Sequence, residues 1–260
     1  MTTMKFQQLK EFLDAKAEHY DQPAFIAGDP ISVPHRFTKL QDIEIAGLFA
    51  AILAWGNRTT IINKCTELMA LFDNAPYDFV VNHDPRDRMK LMNFRHRTFN
   101  GLDLLYFVEF LQHYYSNMTS LEFAFSGYLQ PEDVNVENAL IGFQKMVFAM
   151  EHPDRTRKHI STPVRNSACK RLNMYLRWMV RPDKNGVDFG LWRQIAPAQL
   201  VCPVDIHVSR VAARLGLIQS ADANWKTAVE LTSQLRLMDP ADPVKYDFAL
   251  FGLGVIEKYV

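Results

Sequence analysis

The sequence has few of the features that mark secreted or membrane proteins. Its first twenty residues mix charged and apolar positions without a continuous apolar run, which predicts neither a signal peptide nor a membrane anchor. Only three cysteines occur, and this odd number at wide spacing fits neither a disulfide framework nor a Cys-x-x-Cys metal site. The sequence therefore predicts a cytoplasmic protein in which Cys65, Cys169 and Cys202 are reduced thiols.

The formal net charge is zero, because 29 Lys and Arg residues balance 29 Asp and Glu residues. On its own this balance argues mildly against a nucleic-acid partner. Between Glu151 and Arg181, however, eight basic residues stand against two acidic ones. This local excess predicts a surface that faces phosphate, with a solvated basic face of no function as the alternative. The eight basic residues are Arg155, Arg157, Lys158, Arg165, Lys170, Arg171, Arg177 and Arg181.

Patterns typical of β-strands are nearly absent, whereas apolar residues recur at helical spacing, so the predicted class is all-α. Segment 42–55 is apolar enough to be a buried central helix that begins at a cap on Asp42. The polar stretch 74–100 is predicted to cross between two lobes. Helices are predicted at residues 5–20, 42–55, 59–72, 102–116, 119–127, 134–150, 166–180, 188–195, 206–215, 222–237 and 243–257.

Lys170 is predicted to lie in the first turn of a helix whose apolar side carries Leu172, Tyr175, Leu176 and Met179. The positive end of the helix dipole disfavours the ammonium form there, and a neutral amine is a nucleophile. The pattern makes Lys170 a candidate nucleophile, with an ordinary exposed lysine as the alternative.

Asp205 stands directly before a second amphipathic segment, which makes it a candidate N-cap. A cap carboxylate accepts backbone N–H bonds and feels the positive end of the helix, so Asp205 is expected to stay ionised in a partly apolar pocket. A purely structural cap is the alternative. The apolar side of this helix carries Val208, Val211, Ala212 and Leu215.

Together the two segments resemble the active-site pattern of the helix-hairpin-helix DNA glycosylase superfamily, in its 8-oxoguanine glycosylase and endonuclease III-like branches. In those enzymes a lysine opens the second helix of the hairpin, and an aspartate follows in a segment similar to residues 204–208. The resemblance implies that Lys170 attacks C1′ of the damaged nucleotide. It also implies that Asp205 activates this amine and stabilises positive charge on the sugar.

The resemblance extends to other parts of the chain. Segment 44–64 is similar to an early buried helix and a turn that fills the hole left by a flipped base, which implies that Asn57 and Arg58 assist base extrusion. Residues 246–252 are similar to the last core helix. The implied fold is one two-lobed helical domain over 1–260, with lobes 39–150 and 1–38 plus 151–260. Its central cleft would be lined by Lys170, Asp205 and the Asn57–Arg58 turn, with Trp55, Phe189 and Trp192 as pocket candidates.

The sequence departs from the family in three places. The family's Leu-Pro-Gly-x-Gly turn is replaced by residues 162–169 without a glycine, which is expected to hinder positive φ and close approach of the backbone to phosphate. The gap from Lys170 to Asp205 is longer than usual, and the four-cysteine iron–sulfur loop is missing. No cofactor is expected, and a monovalent cation would need the carbonyls of the altered turn. The implied DNA contacts are Arg165, Asn166, Ser167, Arg171, Arg177, Arg181 and His207.

The function implied by the resemblance is excision of an oxidised purine, such as 8-oxoguanine, with AP-lyase activity through a lysine Schiff base. The partner would be duplex DNA containing a damaged base, bound by a monomer without a membrane. The missing glycines leave a second reading open, in which the protein binds damaged or bent DNA without cutting it. The neutral net charge leaves a third, in which the substrate is RNA or a nucleoside.

Overall fold

The computed structural model describes residues 3–259 and is mostly helical, with 62% helix and 2% strand. The predicted all-α class is confirmed at the level of secondary structure. Among the described helices, none combines the length and the apolarity that crossing a membrane requires. The helices are α1 (Thr3–Tyr20), α2 (Pro23–Ile26), α3 (Leu40–Leu53), α4 (Arg58–Leu71), α5 (Pro76–Asn82), α6 (Pro85–Leu91), α7 (Gly101–Tyr115), α8 (Glu122–Ser126), α9 (Glu137–Val147), α10 (Lys170–Val180), α11 (Ile206–Arg214), α12 (Trp225–Met238) and α13 (Tyr246–Phe251).

Short elements complete the fold. A hairpin of two-residue strands, β1 (Arg95–His96) and β2 (Phe99–Asn100), pairs antiparallel with Arg95 opposite Asn100. The helix predicted over 243–257 is divided into three parts, because a 3₁₀ turn at Pro243–Lys245 precedes α13 and a π-helical turn at Gly252–Ile256 follows it. Further 3₁₀ turns lie at Pro30–Ser32, Pro34–Arg36, Asp154–His159, Pro163–Arg165 and Pro197–Gln199.

The chain divides into two compact units. The first unit comprises Met1–Phe25, Gln130–Asn138 and Thr162–Val260, and the second comprises Ile26–Leu129 and Ala139–Ser161. These units differ from the predicted lobes in the placement of residues 26–38, 130–138 and 151–161. The predicted central cleft stays a prediction.

Residues 74–100 lie wholly in the second unit, so the prediction that the chain crosses between lobes there is wrong. They form α5, α6 and the hairpin instead. Pro76 and Pro85 each begin a helix, because proline at the first helical position lacks only an N–H that has no partner in the helix. Asp84 then caps α6 by accepting hydrogen bonds from the N–H groups of Arg86 and Asp87.

The core of the second unit is built on α3, in which every residue from Ile43 to Leu53 is buried. The prediction of a buried central helix is therefore confirmed. The predicted cap on Asp42 is wrong, because α3 begins at Leu40. The Asp42 carboxylate instead accepts the Tyr77 N–H at 2.8 Å and so satisfies a donor in the first turn of α5.

The core of the first unit contains α10, which is buried from Leu172 to Val180, while α1 packs along α13. No helix forms over residues 188–195, contrary to prediction. This segment folds back so that its N–H groups meet the free carbonyls at the end of α10: Phe189 N donates to Trp178 O at 2.8 Å, and Trp192 N donates to Met179 O at 2.9 Å. These N–H groups therefore bond to carbonyls of α10 and not to carbonyls within residues 188–195, as they would in a helix.

Candidate active site

The turn before Lys170 has an unusual backbone. Asn166 has φ 53° and Cys169 has φ 49°, so both lie in the left-handed region. For this reason the helix predicted from residue 166 begins only at Lys170. Asparagine tolerates this conformation, but for cysteine it costs roughly 1–2 kcal/mol. A strained backbone therefore sets the position of Lys170 at the start of α10.

Contacts with the start of α12 hold this turn in place. Asn166 O accepts the Trp225 N–H at 3.2 Å, Ser167 forms an isolated bridge with Asn224, and Ser167 Oγ accepts the Cys169 N–H at 3.3 Å. The expectation that the missing glycines hinder positive φ is thus wrong, because tertiary hydrogen bonds stabilise this conformation in residues other than glycine.

Asp205 is the N-cap of α11, as predicted. Its Oδ1 atom accepts the N–H groups of His207 at 2.9 Å and Val208 at 3.0 Å. The other oxygen, Oδ2, lies 3.5 Å from Lys170 Nζ. One carboxylate oxygen therefore serves the helix, while the second faces the amine.

The Lys170–Asp205 pair is accessible, since the two side chains are 30% and 29% exposed. The predicted proximity of the two groups is confirmed, and their catalytic roles stay a prediction. A partly exposed ion pair of this kind adds at most about 1 kcal/mol to stability. The pair therefore contributes little to holding the fold together.

Asp247 on α13 lies buried beside this pair, and sequence reasoning did not single it out. Burial raises the pKa of Asp247 to about 6, and the charges of Asp205 and Asp188 act in the same direction. Arg177 and Lys170 oppose this shift, and Arg177 donates a hydrogen bond to the Asp247 carboxylate. The sequence feature that could have identified Asp247 is its position as the one acid in the otherwise apolar segment Tyr246–Phe251.

Arg177 is buried, at 3% exposure, and does not face phosphate as predicted. Its Nε lies 3.2 Å from Asp188 Oδ1, and Asp247 takes its Nη1 hydrogen bond. Its guanidinium also lies over the Phe248 ring, 4.3 Å from the ring centroid. The prediction is wrong because these acids follow Arg177 at a distance in the chain and meet it only in the fold.

Arg181 is the second buried arginine, at 6% exposure. It bonds to Asp21 at 2.9 Å, to Asp188 at 3.0 Å and to Asp242 at 2.8 Å. These three carboxylates neutralise its charge inside the first unit, so the predicted phosphate contact by Arg181 is also wrong.

The other predicted phosphate contacts remain accessible, and their role stays a prediction. Arg165, Asn166 and His207 are exposed, and Ser167 and Arg171 are half-buried. All five belong to the first unit.

The pocket candidates have different surroundings. Trp192 is 1% exposed and packs edge-on against Tyr175 with 5.4 Å between ring centroids, so it belongs to the core of the first unit. Phe189 is half-buried in the returning loop. Trp55 is half-buried in the second unit, in the turn between α3 and α4.

The turn predicted to assist base extrusion caps α4. Asn57 is exposed, and its side chain accepts the Thr60 N–H at 3.1 Å. Arg58 is the first residue of α4 and is half-buried. The geometry gives Asn57 a structural role, and its role in extrusion stays a prediction.

Comparison with known proteins adds one finding. Residues 29–256 match the family described as "Protein of unknown function (DUF2400)". The chain belongs to the DUF2400 family. No curated protein and no solved structure matches it significantly. The part that matches DUF2400 contains Lys170, Asp205 and Asp247. Within the described residues of this DUF2400 chain, no three His, Cys, Asp or Glu side chains are grouped so that they could hold a metal ion.

Proposed function

We propose that this DUF2400 protein is a base-excision-repair DNA glycosylase with AP-lyase activity, acting on an oxidised purine such as 8-oxoguanine. The proposal includes a two-lobed glycosylase-like arrangement with a degenerate helix-hairpin-helix and a central cleft. The observation that carries it is the Lys170–Asp205 pair, in which Nζ and Oδ2 are 3.5 Å apart. The two groups stand at the starts of two helices in one unit, in the order that the resemblance requires.

The first step breaks the glycosidic bond. A damaged base inside a duplex is out of reach, so it must first be extruded from the stack. As the base departs with the bonding electron pair, the sugar becomes an oxocarbenium-like cation, which a nearby carboxylate stabilises. Asp205 fits this role because the α11 N–H groups hold one of its oxygens, and the other faces the Lys170 amine.

The second step forms the enzyme–DNA bond. The Lys170 ammonium first passes a proton to the Asp205 carboxylate, and the resulting amine donates its lone pair to C1′. The adduct loses a second amine proton, the C1′–O4′ bond breaks as the ring oxygen takes up a proton, and a Schiff base results. Removal of a C2′ proton then expels the 3′ phosphate by β-elimination. The accessible surface of Lys170 and the strained turn before it support this role, because the turn sets where the backbone presents the lysine at the start of α10.

Binding of the DNA backbone is assigned to the accessible groups next to the pair. Arg165 and Arg171 supply charge, and Asn166, Ser167 and His207 supply polar contacts. Arg177 and Arg181 take no part, because their charges are neutralised inside the protein.

Borohydride trapping tests the proposal directly. The full chain is incubated with duplexes that contain oxidised, alkylated or deaminated bases, and reduction converts any Schiff base into a stable adduct. Adducts are expected with oxidised purines for the wild type and for Lys145→Gln, a matched change at an exposed lysine of α9. Lys170→Gln is expected to give none.

Each other result has a definite meaning. Adducts that persist in Lys170→Gln would show that another amine is the nucleophile. Wild-type protein that binds damaged or bent DNA but yields neither adduct nor free base would replace the proposal with the non-catalytic alternative. Absence of both binding and reaction would refute the assignment to DNA repair.

A further inference from the structure

A second group of residues, in the second unit, has the chemistry of a nucleic-acid contact. Two loops meet there: the turn between α3 and α4, and the hairpin of β1 and β2. The guanidinium carbon of Arg97 lies 4.8 Å from the centroid of the Trp55 ring, and the His96 ring meets Trp55 edge-on at 5.9 Å. We call Trp55, Asn57, Arg58, Arg95 and Arg97 the hairpin–turn patch.

Gly56 allows the two loops to approach. Its φ is +107°, which side-chain-bearing residues rarely adopt, and a Cβ atom there would lie 2.1 Å from Arg97 Nη1. The close approach places the Arg97 guanidinium on the indole face. The backbone of Arg97 itself is left-handed, with φ 55°.

Arg155 holds the hairpin from the other side. It donates hydrogen bonds to Thr98 O at 2.7 Å and to Asn100 Oδ1 at 2.6 Å, and it pairs with the buried Asp103 carboxylate at 2.6 Å. Its charge is therefore engaged in structure, and the hairpin it supports is a firm base for the side chains at its tip.

The cations at the tip differ from Arg155. Arg95 and Arg97 are both exposed, and within residues 3–259 neither forms a salt bridge. Two accessible arginines beside an aromatic ring offer charge for phosphates and a surface for a base, the combination found where proteins bind single strands. An acidic peptide would use the charges but would have no need of the indole face.

The buried edges of the two rings give a second observation. The Trp55 indole N–H and His96 Nε2 are buried, and neither has a hydrogen-bond partner among the described residues. Buried polar atoms normally have partners, so an unsatisfied one requires an explanation, and a further bound group is one such explanation. The Trp55 ring is thus unsatisfied at its buried edge, and the Arg97 side chain lies over its face.

We propose that the hairpin–turn patch binds an unpaired nucleic-acid strand, in which phosphates contact Arg95 and Arg97 and a base stacks on Trp55. Arg97 must leave the indole face when the base arrives. This exchange is favourable because an exposed cation–π contact is weaker than the stacking of a base on an aromatic ring. This strand-binding proposal rests on the proposed function only in taking nucleic acid as the partner. Binding at the patch requires neither a damaged base nor a reaction.

The first experiment follows tryptophan fluorescence while an unmodified single-stranded oligonucleotide is added to the full chain. Quenching is expected in the wild type. Trp55→Phe and Trp55→Leu both remove the reporting indole, so the affinities of all three proteins are compared by the fluorescence anisotropy of a labelled oligonucleotide. Only Phe keeps an aromatic face, so affinity is expected to fall about tenfold more in the Leu variant. Equal affinities of the two variants would overturn the stacking role. Thermal unfolding checks that both are folded.

The second experiment measures how affinity depends on salt. The slope of log K against log salt is negative, and each phosphate contact to a single strand contributes about 0.7 to its magnitude. Arg95→Gln and Arg97→Gln should therefore each make the slope less steep by about 0.7. Arg86→Gln is the matched control, because Arg86 belongs to the same unit and already pairs with Asp84 at 2.9 Å. Unchanged slopes in the first two variants would refute the phosphate contacts.

A poly-glutamate peptide serves as competitor. If it displaces the oligonucleotide as well as a second oligonucleotide does, the partner is an acidic peptide and the proposal is wrong. The two proposals fail separately. Lesion adducts without effects of the patch variants reject only the patch, and patch effects without adducts reject only the glycosylase reaction.

Discussion

Replacing Asp205 by Asn separates the catalytic interpretation from the purely structural one. The amide oxygen of Asn can still accept the N–H groups of His207 and Val208, and Asn is as good an N-cap as Asp. The substitution removes only the negative charge, and it places a neutral atom where Oδ2 now lies 3.5 Å from Lys170 Nζ. Capping and charge can therefore be tested independently.

The expected magnitudes differ widely. The ion pair is about 30% exposed on both sides, so its loss lowers the free energy of unfolding by no more than about 1 kcal/mol. Asp205→Ala loses the cap as well, which adds about 1 kcal/mol. Removing one preorganised charge from a transition state costs about a hundredfold or more in turnover. Asp205→Asn should therefore be a stable protein that has lost its activity.

The assays are urea denaturation and single-turnover release of the damaged base, with lesion binding measured alongside. Asp84→Asn, the same change at the N-cap of α6, is the control and should leave turnover unchanged. If Asp205→Asn keeps base release within a few fold of the wild type, Asp205 is only a cap and the reasoning is refuted.

Three further predictions concern single residues in the two units. Arg177→Gln removes the arginine that pairs with the buried Asp247 carboxylate and one of the two arginines beside Asp188, which keeps Arg181. It should therefore lower the free energy of unfolding by about 3–5 kcal/mol in urea denaturation, whereas Arg165→Gln should leave it unchanged. Burial alone would raise the pKa of Asp103, but the His159 ring nitrogen 3.3 Å away and hydrogen bonds from the Asn100 N–H and Thr156 lower it to about 2. The stability that Asp103 contributes is therefore present above pH 3.8 and lost as the pH falls toward 2, and Asp103→Asn should flatten that part of the stability profile. Asn57→Ala should slow base release from a fully paired lesion more than from a mismatched one, and equal rates would remove Asn57 from the site.

Asp247 gives the opposite pH dependence. Its pKa is raised from 3.8 to about 6, so its contribution to stability is fully present below pH 3.8 and is lost as the pH rises to about 6. Asp247→Asn should remove this decline. Urea denaturation at several pH values measures it, and an unchanged decline in the variant would show that another group is responsible.

The local features of this protein could be predicted from the sequence. The N-cap at Asp205, the position of Lys170 in a first turn and the burial of α3 each depend on residues within a few positions of one another. Helix caps and apolar periodicity are short-range properties, and neighbouring side chains decide them. For this reason Lys170 and Asp205, on which the proposed function depends, could be identified from the sequence.

Only the tertiary structure decided the surroundings of those residues. Arg181 meets Asp21 across 160 positions of the chain, and Arg177 meets Asp247 across 70, so a basic run predicted to face phosphate is partly neutralised inside the first unit. The left-handed turn at Asn166 and Cys169 depends on hydrogen bonds and a bridge to the start of α12, and Trp55 is covered by an arginine from a separate hairpin. Burial and charge compensation come from groups distant in sequence, and for that reason local pattern indicates which residues carry the chemistry but not which of them remain exposed to use it.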